Sequence, residues 1–291
     1  MPILKGIIAL IVFLLNTVVL VSILLFFSVL KLIIPIPVWR RWMSYLLVWV
    51  AESWIAINHG VYQLIHGNKI QILGDVTLSP EDWYLVISNH QTMADIPIIQ
   101  GALNRKIPFL RFFLKQELIW VPFLGLAWWA LDFPFMQRFS REYLKKNPHM
   151  RGKDMEKTKR SCEKFKGFPT SIFNFVEGTR FTEAKFEKQS SEFNHVLKPK
   201  AGGIGYVLDS MGEQLNHLLL VTLSYHPKAP GMWDYLCGRM DTVKVYLEKV
   251  KIPTQLLDRN YLSDETFRQE LFEWLNDLWH KVDKNLTNCK A

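Results

Sequence analysis

The apolar pattern divides the chain into two regimes. From Gly6 to Leu30 no residue is charged. As a helix rising ~1.5 Å per residue this stretch would be about 37 Å long, enough to cross a hydrocarbon core of ~30 Å with some tilt. It is too long for the core of a signal peptide and no small-x-small cleavage site follows it, so a retained membrane anchor is expected. Pro35 and Pro37 interrupt the helix. Residues 38–64 then form a second apolar stretch, rich in tryptophan (Trp39, Trp42, Trp49, Trp54) but interrupted by Arg40, Arg41, Glu52 and His59. That mixture predicts a helix lying in or dipping into the membrane interface rather than a second span. Lys5 precedes the first run and Lys31, Arg40 and Arg41 follow it, which places the bulk of the protein on the cytoplasmic side.

Beyond residue 66 short strand-like runs alternate with helical periodicity. The pattern predicts strands over 69–73, 83–88, 170–176, 218–225 and 242–248, and helices over 92–103, 117–131, 153–165 and 203–211. A closing helix with Ser263 as N-cap carries Phe267, Leu271, Trp274, Leu275, Leu278 and Val282 on one face, a core-docking stripe. The charged, glycine-poor segment 181–198 is expected to be a mobile surface flap. With no internal repeat or low-complexity tract, the expected organisation is an N-terminal membrane helix plus interfacial helix (1–66) followed by one catalytic domain (67–291). The fold class is α/β, a mixed β-sheet flanked by helices behind an N-terminal membrane-anchoring helical module.

Candidate chemistry concentrates at two predicted strand ends. The run Trp83-Tyr84-Leu85-Val86-Ile87, bounded upstream by Ser79-Pro80-Glu81-Asp82, delivers Asn89 and His90 to the end of a buried strand, and Asp95 follows five residues after the histidine. Within one regular helix such a pair diverges by about 140°. The two meet if His90 lies in the turn and Asp95 in the first turns of the next helix, where the carboxylate can hold one imidazole nitrogen and leave the other as a general base. A capping histidine is the structural alternative. His149 and Asp154 share the spacing but lie in a polar segment with no strand before them, and read as a loop and a helix start. The second strand end is Asn174-Phe175-Val176-Glu177-Gly178-Thr179-Arg180. Here glycine allows a sharp turn and close backbone approach, and Thr179 and Arg180 offer a hydroxyl and a guanidinium fork suited to phosphate.

Charge narrows the partners. The 291 residues carry a formal +8. Residues 138–166 hold eleven Lys/Arg against four Asp/Glu, supplying +7 of it (11 − 4). In an anchored chain such a patch suits anionic lipid head groups or a phosphorylated thioester carrier, and no nucleic-acid-reading module accompanies it. Cys162, Cys237 and Cys289 have neither paired nor metal-like spacing, which points to reduced thiols. Metal-assisted hydrolysis through His90, Asp95 and Glu177 is a rival, but it lacks a further His or Asp cluster, so no metal site is expected.

The Asn-His-x4-Asp block followed some 80 residues later by Glu-Gly-Thr-Arg resembles the glycerolipid acyltransferase family, which includes 1-acyl-sn-glycerol-3-phosphate acyltransferases. Between them, Phe135-Met136-Gln137-Arg138 resembles a family block whose arginine binds the acceptor phosphate, and Lys115 matches a lysine common near it. The runs Trp-Val-Pro-Phe-Leu-Gly-Leu-Ala (120–127) and Arg-Ser-Cys-Glu-Lys-Phe (160–165) are similar to a bacterial inner-membrane branch of the family. The resemblance covers residues 65 to 230. It implies direct acyl transfer from acyl-CoA or acyl carrier protein to the hydroxyl of 1-acylglycerol 3-phosphate. His90 and Asp95 would be catalytic, with Asn89, Lys115, Arg138, Glu177, Gly178, Thr179 and Arg180 on the substrate, the lipid bilayer as partner and no cofactor. A bacterial inner membrane with the domain on its cytoplasmic face is the location it implies. The aromatic run 109–113 and Trp128-Trp129 are candidates to line an acyl tunnel. Many relatives have Asp where Gln137 stands and a Val-Pro element where Leu220-Val221-Thr222-Leu223 stands. These departures keep open a lysophosphatidylglycerol- or lysocardiolipin-type acceptor. A catalytically inactive protein that binds anionic lipid is the alternative of a different class.

Overall fold

The computed structural model describes residues 1–136, Lys146, 167–215 and 217–290. Gln137, Arg138, His149, Asp154, Cys162 and the basic helix expected over 153–165 lie outside the described residues. Two long helices lead: α1 (Pro2–Ile33) and α2 (Pro37–His66), each with proline in its first turn, where the missing N–H has no helical partner to lose. The rest is built on β1 (Ile70–Leu73), β2 (Tyr84–Ser88), β3 (Leu110–Phe112), β6 (Ser171–Phe175), β7 (His217–His226) and β8 (Thr242–Lys251). They form one sheet in the order β1-β8-β7-β2-β6-β3, in which only β7 and β8 pair antiparallel. A short second pairing joins β4 (Leu114–Lys115) to β5 (Phe135–Met136).

Central β2 is buried on both faces, as expected of a strand with parallel neighbours on each side and helices above and below. Its alternation sorts the core. Val86 points with Phe173, Leu219 and Val221 into a cluster that also contains Val21, Leu24, Val50 and Ile55 of the two long helices. Leu85 and Ile87 point the other way, against α6 (Gly202–Met211) and α7 (Glu265–Lys290). The long helices therefore share one core with the sheet.

Helix α1 touches the rest of the molecule near both ends. A Cβ on Gly6 would sit 2.5 Å from Cys237 Sγ, so only glycine permits this approach. At the far end Lys31 Nζ lies 3.4 Å from Asp132 Oδ2. At ~1.5 Å per residue the helix is about 48 Å long and lies along the domain rather than projecting from it.

Three expectations need correction. The helix expected over 117–131 is a 3₁₀ turn (Gln116–Trp120) and a separate α4 (Leu124–Ala130), because Pro122 restricts Val121 and Phe123 takes φ 60°. The polar stretch 181–198 is not a flap. Thr182 caps α5 (Glu183–Gln189), Phe193, Val196 and Leu197 are buried, and the Asp283 carboxylate accepts from the Asn194 and His195 N–H groups. The last helix is capped by Asp264, whose Oδ1 accepts from Phe267 N at 2.9 Å, whereas the Ser263 hydroxyl bonds Asn260.

Candidate active site

Strand β2 ends at Ser88, and α3 (Asp95–Leu103) begins seven residues on. In the turn between them His90 Nδ1 lies 2.8 Å from Asp95 Oδ2. Asp95 is completely buried, so its charge must be met by donors. Oδ2 also accepts from the N–H groups of Gln91 (2.7 Å) and Thr92 (3.0 Å), and Oδ1 accepts from the Tyr225 hydroxyl at 2.5 Å. Burial and the neighbouring carboxylate hold the Tyr225 phenol well above its ordinary value, so it stays a donor. With Nδ1 donating to a carboxylate, Nε2 is the imidazole nitrogen left as an acceptor, the tautomer a base requires. The ring stacks on Phe175, 3.8 Å between centroids, which fixes its plane.

Two expected substrate-binding residues lie beneath the site instead of facing it. The Asn89 side chain is buried and pairs both ways with one backbone residue: Nδ2 donates to Leu223 O (3.0 Å) and Oδ1 accepts from Leu223 N (2.8 Å). It continues the β2–β7 ladder past the strand end, where the chain must turn. Glu177 is also buried. Oε1 accepts from His90 N (2.9 Å) and Oε2 from Leu197 N (3.1 Å), so the carboxyl ties the histidine turn to the segment after α5. Each oxygen is thus engaged by a backbone N–H, and the residue does not line the cavity.

Burial pushes the Glu177 carboxyl up to about 8, against the lowering pull of its two N–H bonds. A carboxyl whose value is raised on folding binds its proton more tightly in the folded chain. Its contribution to stability is therefore greatest at low pH and lost as pH rises from the unfolded range towards 8. We expect the denaturant midpoint to fall between about pH 5 and pH 8. Glu177→Gln, which cannot ionise, should lack this component, although its amide turns a donor towards one N–H and lowers stability by about 1–3 kcal/mol. Parallel titrations of the two proteins check both statements.

Gly178, Thr179 and Arg180 form the rim. Gly178 takes φ 69° and donates its N–H to Phe175 O, closing the turn after β6. That N–H is thus engaged within the turn. Phe181 N donates to His90 O (2.7 Å), stitching this turn to the other. Lys185, which sequence reasoning missed, donates to Thr179 Oγ1 (2.8 Å) and Arg180 O (3.0 Å). Tyr225 was missed too, lying 130 residues from Asp95 with no motif around it. Arg138 lies outside the described residues.

His90, Lys115, Thr179 and Arg180 all border one cavity of about 610 Å³. Its walls are Leu20, Val21 and Leu24 of α1, Val50, Ala51 and Trp54 of α2, and Phe109, Phe112, Phe113 and Trp128. Three members of the expected tunnel are absent from those walls. Leu110 is buried in the core beneath them. Trp129 is half-exposed on the outer side of α4, and Arg111 is buried, donating to Leu131 O (3.2 Å) and Thr170 Oγ1 (3.3 Å). The site is a base held by a carboxylate, beside cationic and hydroxyl groups, at the edge of an apolar chamber.

Known proteins similar to this chain are acyltransferases. An acyltransferase family model matches residues 69–213. An Arabidopsis thaliana protein described as probable 1-acyl-sn-glycerol-3-phosphate acyltransferase 5 is 26% identical over 245 residues, 78% of this chain and 61% of its own. The human 1-acyl-sn-glycerol-3-phosphate acyltransferase delta is 22% identical over 213 residues, 68% of this chain and 51% of its own. The chain thus spans between half and two thirds of the length of these curated relatives. The crystal structure of the 1-acyl-sn-glycerophosphate (LPA) acyltransferase PlsC from Thermotoga maritima superposes with a TM-score of 0.56 at 18% identity, over 100% of this chain and 98% of that one. The shared architecture is a mixed sheet flanked by helices behind a long apolar N-terminal helix. The chain belongs to the glycerolipid acyltransferase family.

Proposed function

We propose that this protein transfers a fatty acyl group from acyl-CoA or acyl carrier protein to the free hydroxyl of 1-acyl-sn-glycerol 3-phosphate, giving phosphatidic acid. The observation that carries this reading is the His90–Asp95 pair opening on an apolar cavity whose rim bears Lys115, Thr179 and Arg180. His90 Nε2 takes the proton from the acceptor hydroxyl, and that oxygen attacks the thioester carbonyl carbon. Asp95 stabilises the imidazolium formed. The Lys115 ammonium faces the developing oxyanion. The C–S bond then breaks and the thiolate leaves, taking its proton from His90. Arg180 and Thr179 hold the acceptor phosphate, joined by Arg138. The apolar walls take a hydrocarbon chain, and no cofactor enters the sequence of steps.

The same reading gives α1 and α2 a lipid-facing role, as a module on the catalytic domain 67–291. α1 is long and apolar enough to cross a membrane, with a mean hydropathy of 3.0 over its best window. Contacts with Cys237 and Asp132 near its two ends favour a helix lying in one leaflet over a span leaving the domain. The cytoplasmic face of a bacterial inner membrane is part of the same proposal, and it rests on the resemblance of residues 120–127 and 160–165 to a bacterial inner-membrane branch of the family. Turnover of labelled acyl-CoA against a panel of lysophospholipids tests the acceptor. A preference for lysophosphatidylglycerol or lysocardiolipin would replace the phosphatidic acid assignment. Arg180→Ala should raise the acceptor KM by roughly tenfold or more with little change in kcat, since a phosphate contact is present in ground and transition states alike.

A further inference from the structure

The 3₁₀ turn and α4 have two apolar faces. Leu118, Leu124, Ala127 and Trp128 turn inward and form a wall of the cavity. Trp120, Phe123, Leu126 and Trp129 recur at every third position and turn outward, 85%, 49%, 53% and 47% exposed. Such large exposed side chains in one short segment mark an interaction surface. A Cβ on Gly125 would lie 2.0 Å from Ile119 O, so turn and helix are locked against each other and present the outer side chains as a unit. This segment packs beside the C-terminal end of α1, next to the Lys31–Asp132 pair, where Phe26, Val29 and Leu32 are exposed as well. The outer face thus continues the apolar surface of α1.

We propose that the outer face of Trp120, Phe123, Leu126 and Trp129 inserts into the same leaflet as α1, making α4 the lipid-facing wall through which the acceptor's hydrocarbon chain reaches the cavity. The functional half of this statement rests on the acyltransferase reading above; the insertion itself does not. Tryptophan suits the boundary between head groups and hydrocarbon, because it buries a large ring while keeping its N–H near water. Continuity with α1 favours a bilayer over a second copy of the chain as the occupant. The wall is one helix thick, so a lipid in the leaflet and the chamber beside His90 are separated by α4 alone at this place.

Two measurements on the full chain test this. In vesicles of phosphatidylethanolamine and phosphatidylglycerol with brominated acyl chains, the double variant Trp120→Phe and Trp129→Phe should lose a distinct part of the bromine quenching seen in the unaltered protein. Equal fractional quenching would overturn insertion, whether or not the protein turns over. The fourfold serine variant at 120, 123, 126 and 129 replaces no residue that lines the cavity. It should keep its rate on a short-chain acceptor in free solution, while its apparent KM for a vesicle-embedded acceptor rises by about tenfold or more. An unchanged KM on vesicles, an equal loss on both acceptors, or conversion of a dimer to a monomer in light scattering would overturn the proposal. Absence of acyl transfer in the unaltered protein, with quenching as expected, would instead remove the functional reading and leave the membrane contact standing.

Discussion

His90→Ala should abolish measurable turnover, a loss of at least 10²- to 10⁴-fold for the general-base step, while the protein folds as before. The ring has few structural duties: it stacks on Phe175 and donates one bond to Asp95. Asp95 would keep its bonds from Gln91, Thr92 and Tyr225, so no buried charge is stranded. The backbone bonds of residue 90, to Glu177 and from Phe181, do not depend on the side chain. Acyl transfer assayed beside a thermal melt checks both halves. A folded variant with near-normal turnover would show that another group removes the proton.

The difference between what the sequence disclosed and what it hid follows from distance along the chain. The β2 strand, the His90 turn and the start of α3 are local, and a continuous apolar run followed by a polar turn made a meeting of His90 and Asp95 one of two expected outcomes. Tyr225 reaches the same carboxylate only because β7 lies beside β2 in the sheet, a pairing no short pattern encodes. Asn89 and Glu177 were legible as polar residues at strand ends but not in their roles. A carboxylate facing substrate and one buried beneath it have the same letter, and only packing separates them. The same holds for α1. Its composition announced an apolar helix, yet the contacts of Gly6 and Lys31 with residues more than 100 positions away lay it along the domain. The stretch 181–198 misled for the converse reason. Its charges lie on the surface of a short helix, while Phe193, Val196 and Leu197 anchor it from below.

Asp95→Asn separates the carboxylate's charge from its geometry. An asparagine at 95 can place its carbonyl oxygen where Oδ2 now accepts from His90, Gln91 and Thr92, because all three partners are donors. Its NH₂ then occupies the position of Oδ1 and faces the Tyr225 oxygen, which can accept once its own proton turns away. The imidazole keeps its tautomer and Nε2 remains an acceptor. What disappears is the negative charge that stabilises the imidazolium as the proton moves, in a site too buried for water to replace it. We therefore expect kcat to fall by roughly 10²- to 10⁴-fold with the acceptor KM nearly unchanged and the melting temperature shifted by only a few degrees. An unchanged kcat would mean that the carboxylate serves only to hold the turn, and that the driving force for proton removal comes from elsewhere in the cavity. Because Asp95 is fully buried among donors, loss of its charge also removes a desolvation cost. The variant's stability should accordingly fall less than that of Asp95→Ala, which leaves the Gln91 and Thr92 N–H groups and the Tyr225 hydroxyl without their acceptor.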